Sequence, residues 1–190
     1  MRRSSMSVLL PVAAAAVAAV PVLDSAQQGS QAAVSRVVQE VEQLDAMRSG
    51  LARGFGEQGV PATRETFAQV CRPVGMRAQQ LARDNGWKVQ QLAEKNRNPA
   101  NGLDGEAARV FRLMLEDQDV MGMWTRASVD GRQGHRYFRR ITVESACLAC
   151  HGAEDSRPDF VRQGYPDDRA FGFAVGDLRG VYSVFVPDTP

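Results

Sequence analysis

Five consecutive residues, Cys147-Leu148-Ala149-Cys150-His151, constrain this chain more than any other feature. They spell C-x-x-C-H, the attachment sequence for c-type haem. Each thiol of such a pair adds across one vinyl group of the porphyrin and becomes a thioether. Two intervening residues on one helical turn put the thiols over neighbouring vinyls. A histidine directly after the second thiol points its ring at the iron as the proximal ligand. The motif therefore predicts one haem c, held covalently by Cys147 and Cys150, with His151 on the iron.

Three plainer readings compete. A thioredoxin-type C-x-x-C needs a cytosolic setting and a preceding βαβ pattern, and neither is evident. A structural zinc site needs four ligands, usually in two paired clusters. Only Cys71, Cys147, Cys150, His135 and His151 are on offer, and adjacent Cys150 and His151 sit awkwardly on one tetrahedral ion. A Cys147–Cys150 disulfide leaves the histidine unexplained.

The amino terminus agrees with covalent haem, which is attached outside the cytoplasm. Arg2 and Arg3 precede an apolar run, Val8 to Val22, followed by Asp24, Ser25, Ala26 and Gln27. This is the layout of a secretory signal peptide. The run is short against the ~20 apolar residues of a membrane span, and Pro11 and Pro21 interrupt it. We expect a signal peptide over residues 1–26, a haem domain over 27–190, and a periplasmic location, with an uncleaved membrane anchor as the alternative. Of the 23 Lys and Arg and 22 Asp and Glu, the leader holds Arg2, Arg3 and Asp24. The mature chain is thus formally neutral apart from its histidines. No basic block suggests nucleic acid, and no second apolar stretch suggests a membrane span after cleavage.

The rest reads as one domain. Ala32 to Gly50 is predicted helical, with Val34, Val37, Val38, Val41 and Leu44 on one stripe, before Gly50, Gly54, Gly56 and Gly59 break or fray it. A second helix is predicted from about Thr63 to Asp84. Its apolar face is Phe67, Val70, Cys71, Val74, Ala78 and Leu81, and Asn85-Gly86 stops it. Pro73 inside this pattern predicts a kink or a late helix start near Cys71. Trp87 to Ala93 fits a short strand, and Arg97 to Gly102 a turn-rich loop. Asp104 caps a third helix, Gly105 to Leu115, with Ala107, Val110, Phe111 and Met114 facing inward. Met121 to Val129 and Arg136 to Val143 read as strands joined by a hairpin at Asp130-Gly131. The C-x-x-C-H follows on a short helix, then a polar loop containing Arg157-Pro158 and Tyr165-Pro166-Asp167-Asp168, then a last strand, Gly180 to Val186. Long helices followed by an antiparallel meander indicate α+β rather than an all-helical cytochrome.

The third cysteine has three readings of its own. Two of the three thiols serve the haem, which leaves Cys71 alone in an exported chain. It is a second iron ligand, a buried core thiol, or one half of an intermolecular disulfide. Met76, Met114, Met121 and Met123 are rival iron ligands, because Met/His pairs are common in cytochromes. His135, in the predicted hairpin turn, reads as a solvated surface residue. Arg97, Arg139, Arg140, Arg157 and Arg169 are candidate propionate partners, with a solvated surface charge as the default for each. Phe138, Phe171, Phe173 and Tyr182 are candidates to pack on the porphyrin, with sheet packing as the default.

Several segments together resemble a known family. They are Cys71 on a long helix, the loop Arg97 to Asn101 before Asp104 and Glu106, Cys147 to Gly152, and the terminal run Tyr165-Pro166-Asp167-Asp168-Arg169-Ala170-Phe171-Gly172-Phe173 through Val175-Gly176-Asp177-Leu178-Arg179-Gly180-Val181. The chain is similar to the single-haem c-type cytochrome domain with a PAS-like fold, long without an assigned function and also found as a sensor input domain of bacterial kinases. The resemblance implies a central antiparallel sheet flanked by long N-terminal helices. It also implies haem on this C-x-x-C-H, with its histidine as one axial ligand and a cysteine on the long helix as the other, the place Cys71 occupies. The chain departs from the family at Pro73.

The function expected is redox sensing or one-electron transfer by an exported, single-haem cytochrome with His151 and Cys71 on the iron, read by a separate redox or signalling protein. The expectation is an electron-transfer or redox-sensor haem protein rather than an enzyme, with the enzyme question left open by the sequence. A thiolate ligand donates electron density, favours ferric iron and lowers the potential, which suits a sensor or a low-potential carrier. The alternative is a gas-binding or peroxide-reducing haem enzyme with a displaceable sixth ligand.

Overall fold

The stripe of Val37, Val41 and Leu44 becomes the buried face of a long first helix, α1 (Ser25–Glu57). The computed structural model describes residues 25–188. The expected leader, 1–26, with its Val8–Val22 run, lies outside these residues except for Ser25 and Ala26. Helix α1 runs through Gly50, Gly54 and Gly56, where a break was expected. Each interior glycine costs about 1 kcal/mol of helix propensity. Packing offsets that cost, because α1 lies along a second helix and against the segment that carries the cysteine pair. At Gly56 the missing side chain is what allows the approach. A Cβ there would stand 3.2 Å from the Cβ of Ala146.

Helix α2 (Arg64–Asn85) is capped at both ends by its own sequence. Thr63 and Thr66 bond each other's backbone amides reciprocally, and Gly86 takes the left-handed conformation (φ 66°) that only glycine enters freely. Pro73 does not delay the start: the helix is continuous across it. Proline in a helix interior removes one backbone bond, and burial of Val74, Ala78 and Leu81 beyond it holds the segment helical.

Four strands follow: β1 (Lys88–Leu92), β2 (Gly122–Val129), β3 (Arg132–Thr142) and β4 (Leu178–Pro187). They form one antiparallel sheet in the order β1-β4-β3-β2. The hairpin between β2 and β3 turns at Asp130 and Gly131, both at positive φ (52° and 77°), as a two-residue primed turn requires. Helix α3 (Gly105–Glu116) starts at Asp104, whose carboxylate accepts from the Ala107 amide at 2.8 Å. The class is α+β, with a central antiparallel sheet and long helices ahead of it.

Two apolar clusters lie against the sheet. Val37, Val41, Leu44, Val74 and Ala78 pack with Tyr137, Ile141, Tyr182 and Val184. Ala107, Val110, Phe111 and Met114 of α3 pack with Leu92, Phe138, Leu178 and Val181. Each fully buried aliphatic or aromatic side chain contributes about 1.5–3 kcal/mol.

Between β3 and β4 the chain is more structured than the expected polar loop. A 3-10 turn, Ser145–Cys147, leads into α4 (Leu148–His151). A second 3-10 turn, Glu154–Ser156, and α5 (Asp159–Gly164) follow. Val161 of α5 is fully buried. Among the described residues no helix is long and apolar enough to cross a membrane.

Gly180 begins the packed part of β4. A Cβ there would lie 2.6 Å from the Leu92 carbonyl oxygen of β1, and backbone cannot yield as a side chain does. Gly180→Ala is expected to cost about 1–3 kcal/mol, the usual penalty of overpacking, read as a lower urea midpoint at unchanged m value.

Candidate functional site

The apolar stripe of α2 serves two purposes along its length. Its C-terminal half, Val74, Ala78 and Leu81, is core. Its N-terminal half, Phe67, Val70 and Cys71, lines a cavity of about 600 Å³ between α1, α2, β1 and the segment carrying the cysteine pair. Cys147, Cys150 and His151 line the same cavity from the opposite part of the chain. The four residues singled out from the sequence thus converge on one space. All three thiols are free. Cys71 is exposed toward this cavity and lies outside both core clusters, which argues against a packed core thiol.

His151 is oriented by its other ring nitrogen. Nδ1 lies 2.7 Å from the Ala170 carbonyl oxygen, so Nδ1 carries the hydrogen and donates it. This leaves Nε2 as the lone-pair nitrogen for a metal. Burial, then the positive charges of Arg179 and Arg97, push the imidazole pKa down to about 3. The ring is neutral at any physiological pH, the form a metal ligand needs. Phe173 packs edge-on against it, with ring centres 6.2 Å apart.

The terminal run that carried the family resemblance holds this histidine. Phe173 N–H donates to the His151 carbonyl at 3.1 Å, and Gly172 N–H to the Gly152 carbonyl at 2.6 Å. Asp168 is fully buried between Arg97 (3.3 Å) and Arg157 (3.0 Å). Burial would raise its pKa. The Ala170 amide, Arg97 and Arg157 outweigh that and hold it below the usual carboxylate value. Arg97 also donates to the Cys150 carbonyl at 2.9 Å.

Although its side chain opens onto the cavity, the Cys71 thiol is pushed up to about 11 by desolvation from the protein surrounding that cavity and then by the Cys150 thiol, against the opposing charges of Arg97 and Arg48. A thiol with such a pKa is protonated at neutral pH, and a cation bound beside it would favour the thiolate. Arg48 of α1 reaches the Cys147 sulfur at 3.7 Å and pairs with Asp45 at 2.8 Å. Arg179 faces the cavity with only the Lys95 carbonyl as hydrogen-bond partner among the described residues. Burial and Arg97 lower its pKa to about 10.

Other candidates sit elsewhere. None of the four methionines lines the cavity: Met114 is buried under α3, while Met76 and Met121 are exposed. His135 lies within β3, beyond the turn where it was expected, with Asp188 3.7 Å away. Arg139 pairs with Glu42 and Asp45 of α1, and Arg140 is buried against the carbonyls of Met114, Asp117 and Val120. These two are structural ties rather than solvated charges, and only Arg169 of the five is exposed. Phe138 and Tyr182 are core, as the default had it. Arg48 and Arg179 were missed in the sequence. Only their tertiary position against the cavity distinguishes them from the chain's other arginines. Among the described residues no three His, Cys, Asp or Glu side chains gather as a metal-ion cluster.

A model of the Tll0287-like family, Tll0287, matches residues 26–187. The crystal structure of the cyanobacterial heme-protein Tll0287 is 40% identical in sequence and superposes with a TM-score of 0.71. The match covers 82% of this chain and 95% of that one. No protein of curated function matches the chain.

Proposed function

Because this chain belongs to the Tll0287-like family, we propose that it is an exported, single-haem c-type cytochrome acting in redox sensing or one-electron transfer. One observation carries the reading: a single cavity collects Cys147, Cys150, His151 and Cys71, residues drawn from segments far apart in sequence. The heme-protein Tll0287, with a similar fold, supports it.

The residues fit the group. A cavity of about 600 Å³ lies within the range of cofactor sites, roughly 300–1,000 Å³. Cys147 and Cys150 flank one helical turn and would supply the thioethers. His151 presents a neutral Nε2, and Cys71 faces the same space from α2. Arg48, Arg97 and Arg179 supply positive charge inside an otherwise mostly apolar wall, the complement of a dianionic macrocycle. Haem supplies one-electron chemistry when bound. His151 and Cys71 would be the residues that hold its iron, and a Cys71 thiolate would favour the ferric state. The partner is a redox or signalling protein in the periplasm.

Intact mass of protein purified from the periplasmic fraction tests both parts. The expected mass is that of a chain starting near Gln27 plus one haem, retained through denaturation and acid-acetone extraction. A chain of bare polypeptide mass, or one carrying zinc, overturns the cytochrome reading. A chain starting at Met1 in the membrane fraction overturns the cleaved leader.

A further inference from the structure

The fold closes a ring of bonds behind His151 that the haem reading does not by itself require. Asp168 Oδ1 accepts from the Ala170 amide at 2.9 Å, the two-residue turn that aspartate forms with its own backbone. The Ala170 carbonyl then accepts Nδ1–H of His151 at 2.7 Å. Arg97 joins Asp168 Oδ1 at 3.3 Å to the Cys150 carbonyl at 2.9 Å. Arg157 holds the other carboxylate oxygen at 3.0 Å and lies 4.2 Å over the ring of Phe171, the residue after Ala170.

Resting on the haem reading above, the geometry points to Asp168 as a positioning residue for the iron ligand: its carboxylate, clamped by Arg97 and Arg157, fixes the Ala170 carbonyl that orients and polarises His151. The Asp168 side chain is 0% exposed, so solvent does not compete for it. A buried carboxylate left without partners is costly, and here the partners are the Ala170 amide of the turn, Arg157, and Arg97 from the loop after β1. A carbonyl accepting the distal N–H of a metal-bound imidazole fixes the tautomer and strengthens the ligating nitrogen as a donor. Loosening that carbonyl weakens the donor and favours the ferrous state.

The test uses full-length haem-loaded protein and three variants. Asp168→Ala removes the turn and the clamp. Asp168→Asn keeps the acceptor for the Ala170 amide and loses the charge that holds the arginines. Arg157→Gln leaves Asp168 paired with Arg97. Intact mass first establishes covalent haem in each. The reduction potential and the ferric electron paramagnetic resonance spectrum are then measured. The expected order is a positive potential shift and a broadened, mixed ferric signal in Asp168→Ala, a smaller shift in Asp168→Asn, and the smallest in Arg157→Gln. Should Asp168→Ala fail to fold, Asp168→Asn decides. Wild-type potential and ferric signal in the folded Asp168 variants, with haem still attached, overturn the positioning role alone. Wild-type protein without attached haem overturns the reading beneath it and this role together.

Discussion

Replacing Cys147 and Cys150 together by alanine is expected to abolish covalent haem. After acid-acetone extraction the variant should return as bare polypeptide, while wild-type protein keeps its haem-stained band and added mass. Each single replacement leaves one thiol and should give protein that retains haem through one thioether or is recovered at much reduced yield. The argument is chemical. C-x-x-C-H places both sulfurs on one turn beside the imidazole, and both line the cavity. The third thiol, Cys71, lines it from α2 and stands apart from the motif helix. Haem retained by the double variant through extraction would mean attachment elsewhere, and the assignment of both cysteines would fall.

The second large effect concerns Cys71. Cys71→Ser is expected to leave the haem attached, raise the reduction potential and abolish the thiolate–iron charge-transfer bands of the ferric spectrum. Serine is nearly isosteric and cannot supply a thiolate, so the electron-rich donor that stabilises ferric iron is lost. The cavity favours Cys71 over the methionines, since it admits the former and none of the latter. The ligand is also expected to be weaker in the reduced state. The protein around the cavity pushes the free thiol's pKa up to about 11, which favours its protonated form, and the ferrous ion needs an anionic donor less. Carbon monoxide should therefore bind the reduced form more readily than the same iron held by a permanent sixth ligand. A ferric spectrum and potential unchanged by Cys71→Ser would place the second ligand on another residue.

Sequence and structure agree where the determining signal is local. The helix start near Thr63, the Asp104 cap, the Asn85-Gly86 stop and the Asp130-Gly131 hairpin each need only a few neighbouring residues to act. So do the heptad-like stripes of α1 and α2, and these predicted the helices and the α+β class correctly. Local signals failed where packing overrode them. The glycines near the end of α1 read as a break, yet the helix continues through them, packed on α2 and close against Ala146 at Gly56. Pro73 read as a kink or a late start, yet burial of Val74 and Ala78 keeps α2 continuous. The segment after His151 read as a polar loop because α5 carries a single buried residue, Val161, too little apolar pattern to reveal it.

By itself the sequence determined which thiols and which imidazole are the candidates for a haem, and the elements that carry them. Those properties reside in residue type and short spacing. The tertiary structure decided which of the similar residues meet that chemistry. One half of the α2 stripe became core and the other half became cavity wall, although both halves have the same periodicity. Arg48 reached the Cys147 sulfur from 99 residues away, and Asp168 reached His151 through a backbone carbonyl. Arginine and aspartate carry no local mark of such roles. Their charges act over distance in a region of low dielectric, and only the fold brings them into that region.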